Sequence, residues 1–472
     1  MPSALVYSAA QADTVGVNPV SFTIGSNVFN VTQSNSNIDS GATAVGNGVF
    51  VNTTVLQDFI NYCSTNTSTV NGVTVSGGTV LVPASASPYL TGEIFMKNNV
   101  NLEIATGATL LNTSTTSTLI ETTGDTQDLE LTGGGILNNN AVTTSGSKMV
   151  DFEHVTNLLV NGVTIENAPG EHFDPLKDNN VTINNITIQD PLGYQKNTDG
   201  IDFSGNNFLI ENSNISDGDD NIVAKPISTF SSNILIQNDV LGNGHGISVG
   251  GQTNAGLNNM TVNNIVFNGT LNGVRLKAGT PNGGIVTHVT FSNLTMTNVT
   301  YPILINSWYN NNDNYGTSEV MANAITATAI PAFNVTNPGD PLVTVNQSNN
   351  TADYPFYDDI TYSNITATGG TGQVAIIYGL NSTDSNPADP LRNIDNISFN
   401  NVNLSGAFGA QIYYASDLNL SGLNITGIPQ GNGNAEYLYG DTFVPEPTAA
   451  ALLGAFGLLA MVRRRRSPEV KT

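Results

Sequence analysis

Positive charge is what this chain has least of. Lys and Arg number 13 against 37 Asp and Glu, for a formal net charge of −24, and five of the 13 sit in the last ten residues. Phosphate needs a basic face, so the composition argues against nucleic acid as a partner. Cysteine occurs once, as Cys63, which excludes an internal disulfide framework and reads as a buried apolar residue rather than a nucleophile. Charge of either sign is thin, at 11% of residues, while glycine reaches 47 of 472. Repetitive β architectures run long as one unit, so this length does not by itself demand several domains.

Long apolar runs are missing until residues 448–462, which are followed by Arg463, Arg464, Arg465 and Arg466. Basic residues after an apolar stretch form a stop-transfer arrangement. Fifteen helical residues span only about 22 Å, short of a comfortable bilayer crossing. With Pro445, Glu446 and Pro447 ahead of it, the tail at 445–472 resembles the PEP-CTERM sorting signal of Gram-negative bacteria. That resemblance implies an exported protein, transiently membrane-anchored, whose tail is cut by a sorting peptidase and whose body ends in the cell envelope or outside the cell. Residues 1–26 are expected to be an N-terminal segment with the remnant of an export signal. Residues 1–12 lack a basic start and a full apolar core, and Ala10-Gln11-Ala12 reads as the end of a cleavage site, with the true start upstream.

What is present is a repeat. An octet of apolar, any, apolar, a polar or glycine-containing pair, apolar, any, apolar appears as LLVNGVTI at 158, VTINNITI at 181, FLIENSNI at 208, ILIQNDVL at 234, MTVNNIVF at 260 and VTFSNLTM at 289. These six starts are 23, 27, 26, 26 and 29 residues apart, and further copies begin at 360, 397 and 418. Alternation on both sides of a polar pair predicts two short strands joined by a bend. Between octets runs a third series of β-prone segments: DGIDF, DDNIVAK, GHGISVG, GVRLKA and YPILI. Three strands per coil, with no apolar face that one coil could bury alone, predict an all-β parallel β-helix with Asn-rich bends stacked in ladders. Hairpin turn dipeptides are not the dominant punctuation, which disfavours a sandwich or barrel. NTTVLQDFINYCST at 52–65 predicts an N-terminal capping helix, with Asn52 or Thr53 as its cap and Val55, Leu56, Phe59, Ile60 and Cys63 as its apolar face. The expected domains are a β-helix at 27–430, with residues 310–357 as an insertion, a linker at 431–444 and the tail at 445–472.

DGDDNI at 217–222 crowds three aspartates into four positions. Stacked coils lie about 4.8 Å apart, so Asp199, the pair Asp219 and Asp220, His245, and Arg275 with Lys277, which open four successive segments, collapse into one patch about 14 Å long. Carboxyls in that arrangement suit glycoside hydrolysis, in which one protonated acid releases the leaving oxygen and another carboxylate activates water. Crowding is expected to keep one of them protonated by repulsion. Arg275 and Lys277, two apart on a strand, share a face and suit a substrate carboxylate. A calcium loop is the competing reading of the acidic turn, but no EF-hand spacing or distant glutamate completes it. Lys225 either neutralises the turn or belongs to the site, and His154, His172 and His288 are read as structural.

NTDGID at 197–202, GDDNI at 218–222, GHGISVG at 244–250 and RLK at 275–277 resemble, in order and spacing, the four motifs of glycoside hydrolase family 28, the polygalacturonases. Weaker similarity extends from FNVT at 29 through NLEIATGATL at 101. The resemblance implies a single-stranded, right-handed parallel β-helix of the pectin-lyase-like solenoid type. It also implies inverting hydrolysis of α-1,4 galacturonosyl linkages in pectin-type polysaccharide by a monomer, with no metal or cofactor. Carried over, Asp219 is the general acid, Asp199 and Asp220 activate water, and His245 supports the acid. Asn197, Arg275, Lys277 and a tyrosine, Tyr309 or Tyr301, bind substrate. Where the family often has a cysteine after the aspartate pair, this chain has Asn221. The alternatives are a lyase-like β-elimination, which needs calcium and a cationic base, and a non-catalytic glycan-binding surface β-helix.

Overall fold

The computed structural model describes residues 16–38, 41–190, 197–279, 282–307, 309, 355–379, 394–413, 415, 417–427 and 437–439. It is a right-handed parallel β-helix of 31 strands, plus one antiparallel hairpin made of Thr67–Val70 and Val73–Ser76. Up to Ala278 the coils contribute three strands each, which run together in later coils such as Phe356–Tyr378, and strands pair in parallel with their counterparts one coil on. Val155–Asn161 pairs Asp178–Asn184, which pairs Gly205–Glu211, which pairs Ser231–Gln237.

The octet explains this winding. Its two apolar pairs supply inward residues on either side of the bend, as in Leu158 and Val160 before it and Val163 and Ile165 after it, all buried. In the first eight copies the second residue of the bend pair has a left-handed backbone: Gly162 at φ 84°, and Asn185, Asn212, Asn238, Asn264, Asn293, Asn364 and Asn401 at φ 52° to 61°. Glycine and asparagine are the residues that adopt this conformation at least cost. Their carboxamides also bond along the stack, Asn264 Nδ2 to Asn238 Oδ1 at 2.7 Å and Asn401 Nδ2 to Asn364 Oδ1 at 2.9 Å. A second ladder runs through Asn180, Asn207, Asn233 and Asn259, each Nδ2 donating to the Oδ1 one coil before at 2.9 to 3.0 Å. Inside, like stacks on like: Phe291, Tyr362 and Phe399 lie with ring centroids 5.2 and 5.0 Å apart and planes within 15°.

Helix α1, Thr53–Thr65, packs on the first coils through strands Gly78–Val82, Ile94–Phe95 and Val100–Ile104. All five residues of its predicted apolar face are buried. Burial pushes the Cys63 thiol up to about 12, so it is an apolar core group and no nucleophile. The cap differs from expectation. The Asn52 side chain does not cap the helix; its Nδ2 donates to the carbonyls of Phe50 and Leu90, and its Oδ1 accepts from Val45 N–H. Thr53 Oγ1 accepts from Gly92 N–H. Both side chains tie the helix start to the solenoid, which costs the helix a local cap and gains a tertiary anchor.

After residue 309 the description resumes at Pro355, and Phe356 pairs directly with Ile285. Most of the expected insertion therefore lies outside the described residues, as do residues 1–15 and the whole tail. Of the expected linker, Tyr437–Tyr439 forms a strand that pairs with Gln411–Tyr413. Among the described residues no helix is long and apolar enough to cross a membrane.

Candidate active site

The third strand of each coil carries the candidate site. In chain order these strands are β1 (Phe173–Leu176), β2 (Ile201–Phe203), β3 (Ile222–Ala224), β4 (Ile247–Gly251), β5 (Asn272–Ala278) and β6 (Tyr301–Asn306). Ile201 pairs Ile222, Ile222 pairs Ile247 and Ile247 pairs Val274. Asp199, Asp220 and His245 each stand two residues ahead of these isoleucines, so they occupy equivalent places on three stacked coils. On β5, Arg275 pairs Ser248 and Lys277 pairs Gly250, both pointing to the face where the acids lie.

The contacts close the cluster. Arg275 Nη2 donates to Asp220 Oδ1, Ser248 Oγ donates to the same oxygen at 2.9 Å, and Lys277 Nζ reaches Asp220 Oδ2 at 2.7 Å. Asp219, the more exposed of the pair, lies with Oδ1 2.7 Å from His245 Nδ1, and its Oδ2 accepts the Asn197 backbone N–H at 2.9 Å. Lys225 lowers Asp220 of the 217–220 turn through its charge, while its direct ion pairs lie elsewhere. It reaches back one coil to Asp199 Oδ2 at 2.9 Å and to Asp202 Oδ2.

These surroundings pull the two adjacent carboxyls apart. Asp219 is pushed up to about 7, first by burial and then by the charges of Asp199 and Asp220. Repulsion, the cause expected from sequence, is thus the second cause rather than the first. Burial would raise Asp220 as well, but Arg275 and Lys277 outweigh it and hold this carboxyl down at about 2. Burial, reinforced by the same two cations, keeps His245 far below its ordinary value and therefore neutral. One acid that keeps its proton, beside one that cannot hold it, is the division of labour that acid/base catalysis requires.

Other sequence-predicted residues fall as follows. Tyr309 places its ring 4.9 Å from Lys277 Nζ. The competing Tyr301 packs its ring against Gly372, where an added Cβ would come within 2.2 Å of it. Asn197 enters through its backbone, held in the left-handed region at φ 57°, and its side chain is exposed. Arg275 and Lys277, expected to face substrate, both bind Asp220, so any carboxylate they hold shares them with it. Asp219, Asp220 and His245 have ligand atoms within 4.8 Å of one another, close enough for a metal ion, but Arg275 and Lys277 already supply positive charge there. Sequence reasoning missed Ser248 and Asp202; His172, read as structural, is buried and donates its backbone N–H to the Asp199 carbonyl at 2.8 Å. Ser248 alone carried a signal, two residues after the second glycine of GHG. It also missed an ionic cluster one to two coils N-terminal, where Lys148 lies 3.2 Å from Asp151 and 3.3 Å from both Glu153 and Asp174.

Fold and site together define a β-helical protein with an acid/base cluster on one face of its winding. The family model for glycosyl hydrolases family 28 matches residues 90–386, and the chain belongs to that family. It is 36% identical over 165 residues to an endo-polygalacturonase of Pectobacterium carotovorum subsp. carotovorum, an alignment covering 34% of this chain and 40% of that enzyme. The chain thus spans well under two thirds of that relative's length. It is 29% identical over 301 residues to the exopolygalacturonase rpg13 of Rhizopus delemar, covering 58% of this chain and 76% of that one. The family 28 exopolygalacturonase of Yersinia enterocolitica shares the fold with a TM-score of 0.66 at 18% identity, over 89% of this chain and 78% of that one.

Proposed function

We propose that this protein hydrolyses α-1,4 galacturonosyl linkages in a pectin-type polysaccharide, with inversion at the anomeric carbon. Asp219 is the general acid that protonates the leaving oxygen. Asp220, with Asp199, activates the attacking water, and neutral His245 lies against the acid and fixes its orientation. Arg275, Lys277 and Tyr309 form the place for the uronate carboxylate, Lys277 between the ring and Asp220, with Asn197 at its edge. The observation that carries this reading is the unequal setting of adjacent carboxyls: Asp220 is gripped by Arg275 and Lys277, which hold it low, while Asp219 lies against neutral His245 and is pushed up by burial. The decisive assay follows both new reducing ends and unsaturated, ultraviolet-absorbing products on polygalacturonate. Reducing ends alone support hydrolysis, unsaturated ends lost on chelation indicate elimination, and binding without either product indicates a glycan-binding β-helix.

Retention is the competing stereochemistry, in which Asp220 would attack the anomeric carbon itself. Against a nucleophilic Asp220, both of its oxygens are engaged by cations or a hydroxyl. Proton NMR of the first-formed anomer separates the two: β product from an α linkage is inversion, α product is retention. The proposal extends to the tail, residues 445–472, as a PEP-CTERM sorting signal that tethers an exported protein until a sorting peptidase cuts it. Mass spectrometry of the protein from its own cells tests this, because an intact tail on the mature protein contradicts it.

A further inference from the structure

We infer that Asn221 is a positioning residue for the acid: its buried carboxamide spans the loop that carries Asp219 and the loop that carries His245, and holds the two in contact. This rests on the reading of Asp219 as the acid. Asn221 is fully buried. Its Nδ2 donates to Asp217 Oδ2 at 3.0 Å and to the Asn243 carbonyl at 2.8 Å, and its Oδ1 accepts the Gly246 N–H at 2.8 Å. Asp217 in turn accepts the Asp219 N–H through Oδ1 at 3.1 Å. Asn243 closes the ring, its Nδ2 donating to the Asp217 carbonyl at 2.7 Å. Asp219 and His245 are therefore each bracketed by atoms that one side chain grips.

The fit is tight as well as polar. Gly244, at φ 133°, leaves room for the carboxamide only because it has no side chain: a Cβ there would lie 2.4 Å from Asn221 Nδ2. Strands β3 and β4 begin after these loops, at Ile222 and Ile247, so a few backbone bonds and this carboxamide fix the loops in place of a full ladder. The site needs two donors and an acceptor in one planar group, which asparagine offers and aspartate, when ionised, does not. Burial raises Asp217 well above the usual carboxylate range, while the bonds it accepts from Asn221 and from the Asp219 N–H pull it back down.

The test compares Asn221→Ala, Asn243→Ala and Asp219→Asn by circular dichroism and by kcat, KM and the pH dependence of kcat on polygalacturonate. Misplacing an acid by a fraction of an ångström lowers the chemical step, so Asn221→Ala is expected to lose on the order of 10- to 100-fold in kcat. KM is expected to stay within about twofold, as for loss of an interaction used only in the transition state. The upper pH limb is expected to move, because the contact between His245 and the acid has changed. Native kcat and a native limb per folded molecule overturn the inference. Should Asn221→Ala fail to fold, Asn221→Asp keeps the shape and the acceptor for the Gly246 N–H but loses both donors, while Asn243→Ala leaves all three Asn221 bonds in place and is the control. A few-fold loss of kcat with a shifted limb in Asn221→Asp supports the clamp, and native values in that variant overturn it. Asp219→Asn keeps the two readings apart. Activity in that variant removes the acid assignment, whereas its inactivity alongside a native Asn221→Ala removes only the clamp.

Discussion

At the scale of single residues, the site is an exercise in placing charge where solvent cannot screen it. Arg275 and Lys277 both pair directly with Asp220, whereas Lys277 lowers Asp219 only through its charge. Removing Lys277 should therefore act first on the base and only secondarily on the acid. Lys277→Met is expected to raise Asp220 from its value near 2, which shifts the acid limb of the kcat/KM profile toward neutrality, and to raise KM through loss of a substrate contact. A pH series on polygalacturonate reads both, and an acid limb unmoved in the variant would show that Lys277 does not set the charge of Asp220. The residues of the four motifs were legible because they carry charge that a mostly uncharged chain has no other use for. Asp217 and Asn221 were not: from sequence, three aspartates in one turn look equivalent, and only the fold shows that Asp217 turns inward while Asp219 faces the site.

At the scale of the element, the second asparagine ladder, set within the strands, is where sequence and backbone meet most directly. Asn233, at φ 54°, both adopts the left-handed conformation and donates to Asn207 at 3.0 Å while accepting from Asn259 at 2.9 Å. Asn233→Ala keeps neither advantage and is expected to cost about 1–2 kcal/mol. Asn233→Gly, which retains the backbone freedom, is expected to cost less. Denaturant unfolding ranks the two, and an alanine variant as stable as the native chain would mean that the ladder contributes nothing. Octet, bend and third strand could all be read in advance because each coil repeats them, so that errors in one copy are corrected by the next. Features that occur once escaped. Asn52 looked like a helix cap by type, yet its carboxamide serves Phe50, Leu90 and Val45, partners that only packing brings within reach.

For the whole molecule, the solenoid makes buried carboxyls a recurring motif, and those away from the cations are raised. Asp239 accepts the Ser213 N–H and is raised by burial to about 8, and Asp178, which accepts the Val155 N–H, is raised well above its ordinary value. A group raised on folding contributes stability that is complete below its unfolded value, near 4, and is lost as pH climbs through the folded one. Unfolding free energy is therefore expected to fall between about pH 4 and pH 8, and Asp239→Asn to flatten that slope. Urea midpoints across this range measure it, and a midpoint that rises with pH would contradict the assignment. Asp220 has the opposite sign, and its contribution is lost only as pH falls toward 2. The same winding that buries these groups lays Asp199 and Asp220 beside Asp219, so activity depends on the stack as much as stability does. The most direct measurement of that dependence is the pH profile of kcat/KM on polygalacturonate. The stacked site predicts full activity on the acid side of 7, a decline approaching tenfold per unit above it as Asp219 loses its proton, and no such limb in Asp219→Asn. A native enzyme fastest above neutrality, or an Asp219→Asn variant with the native profile, would contradict it.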